Sequence, residues 1–488
     1  MPTTDQVYEK RWLALGLLAC AQFVVVLDAS IVNVALPSMG RDLDIANQDL
    51  SWVINAYVLV FGGFLLLGGR LADLLGRRRM FMVGLIVFGI ASLLGGLSSN
   101  PGQLYAARAL QGLGGALLSP AALSIVTNLF KEGAERNKAL GVWGAVAGSG
   151  GAVGVLLGGV LTEFAGWEWV LFVNVPIVAA VAAAAPRLVP ESRNEGRKVF
   201  DVAGAVTITV GLSMLVYALV DANDAGWGST QTIGLLAGSL VLLVLFVMIE
   251  RRRKDPLVPL PGVFRIRTVL GANVNAILIA ASLFSMFFFV TLYMQRVLGF
   301  EPLEAGLAYL PLSAGIIISA GVASQLVTRV GYKPTLVSGM VLVAIGLFWF
   351  SRISPDGTYV ADVLFPSIVA AVGMGLAFVP VTIAAVSGVQ PHEAGLASGL
   401  INTSQQIGGA LGLAILTVFW TNRSADVAAT GADPQTILTE GFQNAFVAGA
   451  VLALVGAVVA AVLISSRDSR EHAEAARRGE TEAVPVAA

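Results

Sequence analysis

The chain has 488 residues, of which 56% are hydrophobic and only 12% are charged, and its mean hydropathy is +0.80. No ordinary soluble domain has this composition, so the sequence predicts an integral membrane protein that crosses the bilayer many times. The net charge of -1 gives no reason to expect a nucleic-acid partner, and the single cysteine, Cys20, excludes an intramolecular disulfide.

Apolar stretches long enough to span a bilayer recur from Trp12 onward. The first is too long for a cleavable signal peptide, so we expect an uncleaved helix. The sequence therefore predicts an all-α integral membrane protein with fourteen transmembrane helices. Their expected bounds are 12-33, 52-72, 80-99, 104-129, 138-162, 168-188, 201-220, 230-250, 270-292, 305-327, 335-352, 363-386, 395-421 and 443-465.

The basic residues predict the orientation of these helices. Most of the 30 Lys and Arg residues fall in alternate loops, on the side that also holds both termini, and the opposite loops carry few. Cytoplasmic loops are the ones that carry an excess of Lys and Arg. We therefore expect a multi-pass protein of the cell (plasma) membrane with both termini cytoplasmic.

An internal repeat divides the helices into two sets of six. Segment 69-78 aligns with segment 324-333, and segment 151-154 aligns with segment 409-412. Helices seven and eight have no counterpart in this repeat. The predicted domains are an N-terminal six-helix bundle (1-190), an inserted two-helix hairpin (191-255), a C-terminal six-helix bundle (256-466) and a disordered cytoplasmic tail (467-488).

One carboxylate, Asp28, lies deep inside the first predicted helix. An acid at such a depth is costly unless it is paired, protonated or facing water, so its default interpretation is functional. Counting residues places Asp28 about 22 Å from the inner face and Arg108 of the fourth helix about 7.5 Å from the outer face of a core about 30 Å thick. The two side chains could pair directly or through water as a proton-coupling site. A permanent ion pair that joins helices one and four is the structural alternative.

A cytoplasmic gate is predicted in the loop between helices two and three. Gly69 and Gly76 allow close backbone approach or a sharp turn, and Asp73 can accept hydrogen bonds from arginines such as Arg77 and Arg78 or lie near a helix N-terminus. Such a segment could hold the two halves closed on the cytoplasmic side. For the arginines alone, ordinary positive-inside topology is the simpler explanation.

This loop resembles the signature loop of the major facilitator superfamily, and further segments resemble its fourteen-helix drug:proton antiporter branch, which contains multidrug and antibiotic efflux transporters. The resemblance implies the major facilitator fold, with two six-helix bundles and a two-helix central insertion, no cofactor and no metal. Two departures are Val155, where the antiporter motif usually has proline, and Thr328, which replaces the acid equivalent to Asp73. The segments that carry the resemblance are Leu27 to Pro37, Trp52 with Tyr57, Arg108 to Gly112, Gly154 to Gly159, and Gly166 to Trp169 with Asn174 and Pro176.

Glycines recur along the fifth predicted helix, and most are spaced three or four residues apart. Small residues at this spacing let another helix pack closely and slide. The resemblance implies that this contact limits leak in exporters, whereas close packing without directional meaning is the alternative. The antiporter-motif glycines are Gly144, Gly148, Gly151, Gly154, Gly158 and Gly159.

A substrate cavity is expected to be mostly apolar with a few polar anchors. Each candidate anchor could instead make an ordinary hydrogen bond between helices. The candidates are Tyr57 and Gln111 in the first half and Asn275, Asn402, Gln405 and Gln406 in the second.

The sequence thus predicts a proton-coupled antiporter that exports amphiphilic drugs or antibiotics from the cytoplasm or inner leaflet by alternating access. Export of a lipid or lipid-like cargo to the outer leaflet is the alternative. The expected partners are a small hydrophobic or amphiphilic substrate, protons and the lipid bilayer, and we expect a monomer. No phosphate-binding loop, metal-ligand cluster or nucleophile with an adjacent base appears in the sequence, so an enzyme is not expected.

Overall fold

The computed structural model describes residues 10-45, 49-50, 52-131, 133-192, 201-252, 266-390 and 393-478. Within these ranges the side chains of 147-149, 152, 220, 223-224 and 302 are not described. The α-helices of the described part are α1 (Arg11–Asp42), α2 (Trp52–Leu75), α3 (Arg77–Gly96), α4 (Pro101–Leu129), α5 (Ala134–Phe164), α6 (Trp169–Phe172), α7 (Asn174–Leu188), α8 (Val202–Ala225), α9 (Thr230–Arg252), α10 (Arg267–Arg296), α11 (Pro302–Ala308), α12 (Leu310–Val330), α13 (Tyr332–Phe350), α14 (Phe365–Val386), α15 (Ala394–Ala428), α16 (Pro434–Leu463) and α17 (Ser466–Arg478), with a π-helical segment at Tyr359–Leu364.

Twelve spans in the described part of the chain are long and apolar enough to cross a membrane, which confirms a multi-pass helical protein. The sequence-based count of fourteen is matched only in part. Helix α15 is long but carries a polar run at 402-406, and the shorter apolar stretch of α5 is Val153–Phe164. Both helices form as the sequence predicts, but neither is among the twelve spans.

Side-chain caps and small residues explain several helix starts and contacts. Asn100 accepts a hydrogen bond from the amide of Gln103, with Pro101 in the first turn of α4, and this arrangement satisfies a helix-end donor. Helices α3 and α4 pack so closely that a Cβ added at Gly84 or Gly114 would lie 2.7 or 2.6 Å from backbone atoms of the facing helix. The small residues therefore set the spacing of these helices.

The chain forms two compact units, the first comprising Met1–Lys131, Leu157–Ile266 and Val386–Thr403 and the second comprising Glu132–Leu156, Arg267–Ala385 and Ser404–Ala488. In the first unit α8 packs against α9, where the hydroxyl of Ser239 donates to the carbonyl of Gly211 at 2.8 Å, and α8 also packs against α2. The sequence-based boundaries at 190, 255 and 466 do not coincide with these units and stay a prediction.

The prediction of a disordered tail is wrong for residues 467-478, which belong to helix α17. Its small residues Ser469, Ala473 and Ala476 are buried, and their spacing places them on one face. The Ser469 hydroxyl accepts from the amide of Lys333 at 3.0 Å. The charge-rich composition concealed this narrow docking face. The rest of the predicted tail, 479-488, lies outside the described residues.

His472 joins α17 to helix α5 within the second unit. Its Nε2 lies 3.1 Å from the Asn137 Oδ1, and since the amide of Asn137 donates to Thr328 Oγ1, Nε2 is the donor. Burial and, next, the nearby Arg136 lower the pKa of His472 to about 4. The other charged groups on the elements around it are Glu135 and Lys138 in the first turns of α5, Arg329 on α12, Lys333 on α13, and Arg467, Asp468, Arg470, Glu471, Glu474, Arg477 and Arg478 on α17.

Acidification is expected to undock α17. An undocked histidine titrates near its ordinary pKa of about 6.5, so docking is complete above that pH and weakens as the pH falls from there toward 4. Hydrogen exchange over 466-478, corrected for intrinsic rates, is expected to be faster at about pH 5 than at about pH 7.5. His472→Gln keeps a donor without a titrating group and serves as the control. Equal protection at both pH values in the unaltered protein would contradict this expectation.

Candidate functional site

A buried ion pair lies in the first unit between helices α1 and α4. The Arg108 Nη1 lies 2.5 Å from Asp28 Oδ2, and the exposed fractions of the two side chains are 1% and 0%. Of the two arrangements considered from the sequence, the structure contains the direct pair. A buried pair of this kind costs about 3–5 kcal/mol to break by removing one partner, because the other charge is then left unpaired.

Besides the ion pair with Asp28 of α1, Arg108 is held by contacts with α2 and with its own helix α4. Its Nε donates to the carbonyl of Val53 on α2 at 3.0 Å, and its Nη1 donates to Gln111 Oε1 at 2.8 Å. The guanidinium carbon lies 4.6 Å from the centroid of the Tyr57 ring, an attractive arrangement for a cation. Arg108 and Gln111 are three residues apart on α4 and so share a face.

Asp28 Oδ1 accepts two further hydrogen bonds from side-chain amides. Gln111 Nε2 donates at 3.0 Å and Asn174 Nδ2, at the start of α7, donates at 2.9 Å. Gln111 Nε2 also donates to the hydroxyl of Ser92 on α3 at 2.7 Å. The carboxylate is therefore held by groups from α4 and α7, with α3 supporting one of them. We call Asp28, Ser92, Arg108, Gln111 and Asn174 the Asp28 cluster.

Sequence reasoning missed two members of the cluster. Asn174 appeared only as part of a helix-six resemblance, and Ser92 carried no signal, since a serine inside an apolar helix usually bonds its own backbone. Both are fully buried. Their role follows from which faces of α3 and α7 pack toward α1, and helix packing is not encoded in any local pattern.

Asp73 lies at the end of α2 and binds the first turn of α15. Its carboxylate accepts from the amides of Gly395 and Leu396, each at 3.0 Å, and from Arg77 Nη2 at 2.8 Å. It is fully buried. A carboxylate at a helix N-terminus satisfies free amides and meets the positive end of the helix dipole. The close approach depends on glycine, since a Cβ at Gly395 would lie 2.5 Å from the carbonyl oxygen of Gly69.

The other predicted gate residues surround a second carboxylate that the sequence did not single out. Glu191 accepts from the amides of Arg78 and Arg79 at the first turn of α3, each at 3.1 Å. Gly76 precedes them with a φ of +113°, a conformation that favours glycine. Glu191 therefore caps α3, and its signal in the sequence was only an acid within a polar segment.

The antiporter-motif glycines lie in α5. The neighbours of Gly144, Gly151 and Gly158 each belong to the same compact unit as the glycine. A Cβ at Gly144 would lie 2.9 Å from Val379 in the second unit, and a Cβ at Gly158 would lie 2.7 Å from the Ile31 carbonyl oxygen in the first. A Cβ at Gly151 would lie 4.0 Å from Phe287. Gly154 and Gly159 are buried. Gly148 is helical, but its side-chain environment lies outside the described part.

The predicted cavity residues of the first unit have different surroundings. Gln111 belongs to the Asp28 cluster. The Tyr57 ring stacks on Phe61 with a centroid distance of 5.4 Å, and its buried hydroxyl has no hydrogen-bond partner within the described part of the chain. Asn402 donates to the carbonyl of Ser398 at 2.7 Å and accepts from the hydroxyl of Ser119 at 3.3 Å.

In the second unit Asn275 is buried and donates to the carbonyl of Gly271 at 3.0 Å. Gln405 and Gln406 are half-buried. A separate cavity of about 470 Å³ in the first unit is lined by Asp44, Ile45, Asp49, Trp52, Pro101 and Tyr105, a set that includes no predicted cavity residue.

Comparison with known proteins places this geometry in a family. The sequence profile of the Major Facilitator Superfamily matches residues 18–413. The chain is 42% identical to Puromycin resistance protein pur8 of Streptomyces alboniger, over 94% of this chain and 92% of that protein. It is also 42% identical to Cephamycin export protein CmcT of Amycolatopsis lactamdurans, over 92% of each chain.

The fold is shared with a solved transporter as well. The structure of XylE, a major facilitator superfamily proton:xylose symporter, superposes with a TM-score of 0.66 at 13% identity and covers 97% of this chain and 99% of that one. The resemblance read from the motifs is confirmed, and relatives named for antibiotic resistance and export agree with the drug-exporting branch. The chain belongs to the Major Facilitator Superfamily, a family of membrane transporters.

Proposed function

We propose that this chain is a proton-coupled antiporter that exports amphiphilic drugs or antibiotics from the cytoplasm or inner leaflet by alternating access. The observation that carries the proposal is the fully buried pair of Asp28 and Arg108 inside a membrane-spanning helix bundle. Two relatives of high identity and near-complete coverage are named for puromycin resistance and cephamycin export, which supports antibiotics as the cargo class. The relatives give no support to a lipid cargo.

In the proposed cycle Asp28 alternates between an ionised and a protonated form. The ionised carboxylate accepts hydrogen bonds from Arg108, Gln111 and Asn174, which suits a resting, deprotonated state. Protonation from the outer side removes the negative charge and weakens the attraction to Arg108. This change favours cargo release and return of the empty carrier, and deprotonation toward the cytoplasm favours binding.

The proposed gate is the contact of Asp73 with the first turn of α15. When this contact opens, the carboxylate loses the two backbone amides of α15 and keeps Arg77, which lies only four residues away, so the contact is either made or broken. Glycines of α5 provide the close packing along which helices slide in this proposal. Tyr57, with its unpartnered buried hydroxyl, is proposed as a cargo anchor, together with Asn275, Asn402, Gln405 and Gln406.

The proposed topology has fourteen transmembrane helices. It adds α5 and α15 to the twelve spans and treats α8 and α9 as a central insertion between two six-helix bundles. The proposed location is the plasma membrane with both termini cytoplasmic, on the basis of the distribution of Lys and Arg. We also propose that a monomer is the working unit, because the Asp28 cluster is complete within one chain.

The test is transport into proteoliposomes with an imposed pH gradient. Purified protein is expected to accumulate puromycin or a fluorescent lipophilic cation in vesicles with an acidic lumen, and a protonophore is expected to abolish the accumulation. Protein-free vesicles provide the background. Accumulation that is equal with and without the gradient would overturn proton coupling, and no accumulation of any tested amphiphile would overturn the cargo class.

A further inference from the structure

We propose that Asn174 is a positioning residue that exchanges hydrogen-bond roles with Asp28. In this proposal its amide donates to the ionised carboxylate and rotates to accept a hydrogen bond from the protonated acid. The inference rests on the proposed function, because it assumes that Asp28 gains and loses a proton, and it adds the group that accommodates both forms.

The first observation is that the three donors to Asp28 differ in what else they can do. Arg108 has only donor groups and can never accept from a protonated acid. Gln111 can accept in principle, but its Oε1 is already occupied by Arg108 Nη1 at 2.8 Å. Its Nε2 is shared between Asp28 and Ser92. Rotation of the Gln111 amide would break all three of these bonds.

The second observation is the environment of the Asn174 oxygen. Asn174 is fully buried, its Nδ2 donates to Asp28 Oδ1 at 2.9 Å, and its Oδ1 has no hydrogen-bond partner among the residues that the structure describes. A further described polar contact of Nδ2 is a long one to Ser92 Oγ at 3.5 Å. Of the two amides that reach Asp28, the Asn174 amide is therefore the one whose rotation sacrifices no strong bond besides the one that protonation itself removes.

The exchange can be written as a balanced step. A proton from water forms a bond with Asp28 Oδ1, and the two hydrogens that would then face each other, on Asp28 Oδ1 and Asn174 Nδ2, repel. Rotation about the Cβ–Cγ bond of Asn174 turns its Oδ1 toward the acid and its Nδ2 away. The acid hydroxyl then donates to Asn174 Oδ1, and one buried amide atom is left without a partner before and after. Loss of the proton to water reverses the rotation.

The surroundings contain few competing charges. The charged or titratable side chains that the described contacts place around Asp28 are Arg108 on α4 and the Tyr57 phenol on α2. Helices α3 and α7 contribute the neutral Ser92 and Asn174. No basic or acidic group from α3 or α7 takes part in the described hydrogen bonds of Asp28, so the acceptor for the protonated acid has to come from a neutral amide or hydroxyl.

The decisive variant is Asn174→Leu, which has similar size and neither donor nor acceptor. The ionised carboxylate keeps Arg108 and Gln111 as donors, whereas the protonated acid loses the acceptor that the exchange assigns to it. Each form of Asp28 thus loses one hydrogen bond, so the decisive readout is the hydrogen bonding of the acid hydroxyl. If Asn174 were a donor only, the acid hydroxyl would not be bonded to it, and the C=O band of the acid would not move in the variant.

The measurement is an infrared pH titration of the purified full chain, which follows the carboxylic C=O band that Asp28→Asn removes. In Asn174→Leu the band is expected to shift toward the position of an acid whose hydroxyl is not hydrogen-bonded. A band that stays where it is in the unaltered protein overturns the exchange. Asn128→Leu is the matched control, because the Asn128 amide bonds the carbonyl of Ser124 in its own helix.

The unaltered protein provides a second test that does not depend on folding of the variant. Its Asp28 band is expected at the position of an acid that donates to an amide oxygen, and a band at the position of a free acid overturns the inference. Failure here is distinct from failure of the proposed function. If Asp28→Asn leaves proton-driven transport intact, the coupling site is wrong, whereas loss of transport in Asp28→Asn together with an unshifted C=O band in Asn174→Leu contradicts only the amide exchange.

Discussion

Asp28→Asn is expected to lower proton-driven export by about 100-fold or more, the scale associated with removal of one positioned proton-transfer group. Asparagine has nearly the same shape as aspartate but cannot bind and release a proton. Its Oδ1 can still accept from Arg108, which lies 2.5 Å from the carboxylate in the structure. The initial rate of puromycin uptake into vesicles with an acidic lumen measures the effect.

The matched control for this variant is Asp42→Asn at the C-terminal end of α1. Asp42 accepts a hydrogen bond from Trp167 Nε1 at 3.0 Å and does not touch the Asp28 cluster. It is expected to leave uptake close to that of the unaltered protein. Size-exclusion profiles of both variants check that the fold is kept. Full uptake by a well-folded Asp28→Asn variant would remove this carboxylate from the coupling mechanism.

Asp73→Ala is expected to destabilise the protein by about 3–5 kcal/mol, the typical cost of leaving one partner of a buried ion pair alone. The Arg77 side chain is only 4% exposed and would lose the carboxylate of Asp73 from beside its charge. The amides of Gly395 and Leu396 would also lose their acceptor. Thermal unfolding in detergent, followed by intrinsic fluorescence, is expected to show a clearly lower midpoint.

Two comparisons separate this effect from general sensitivity to substitution. Asp426→Ala removes an exposed acid from α15, the helix that Asp73 contacts, and is expected to leave the unfolding midpoint nearly unchanged. Asp73→Asn retains one acceptor oxygen and is expected to fall between the two. An unfolding midpoint of Asp73→Ala equal to that of Asp426→Ala would show that the contact contributes nothing to stability.

The Asp28 and Arg108 pairing could be predicted because it depends on regular geometry. A helix rises by a fixed length per residue, so two residues on different helices can be compared in depth by counting. Gln111 also follows from its three-residue offset from Arg108. Ser92 and Asn174 could not be found in this way, since their contact with the cluster depends on how α3 and α7 rotate and pack.

Only one of the two sides of the proposed gate contact was predicted from the sequence. The sequence singled out Asp73 and its neighbouring glycines and arginines, but its partners across the contact are backbone amides of Gly395 and Leu396. Backbone donors carry no side-chain signal, and their availability depends on where α15 begins. The acid Glu191 was missed for the same reason, since it binds the amides of another helix start.

Helix bounds and the tail show the limits of composition. The first helix was expected to end at residue 33, before Pro37, but α1 continues to Asp42 with the proline inside it. A proline removes one backbone hydrogen bond without always ending a helix. The tail was judged by its average polarity, whereas α17 packs within the second unit through a narrow face that carries three small buried residues.

The pairing of Asp28 with Arg108 also determines how the carrier would respond to membrane voltage. One acid and one base are together neutral, but the same pair with a protonated acid carries one positive charge. Moving one charge through a potential of 100 mV involves about 2.3 kcal/mol. Under the proposed cycle, export of a neutral cargo against one proton is electrogenic and is accelerated by an inside-negative potential, whereas exchange of a monovalent cation for one proton is electroneutral.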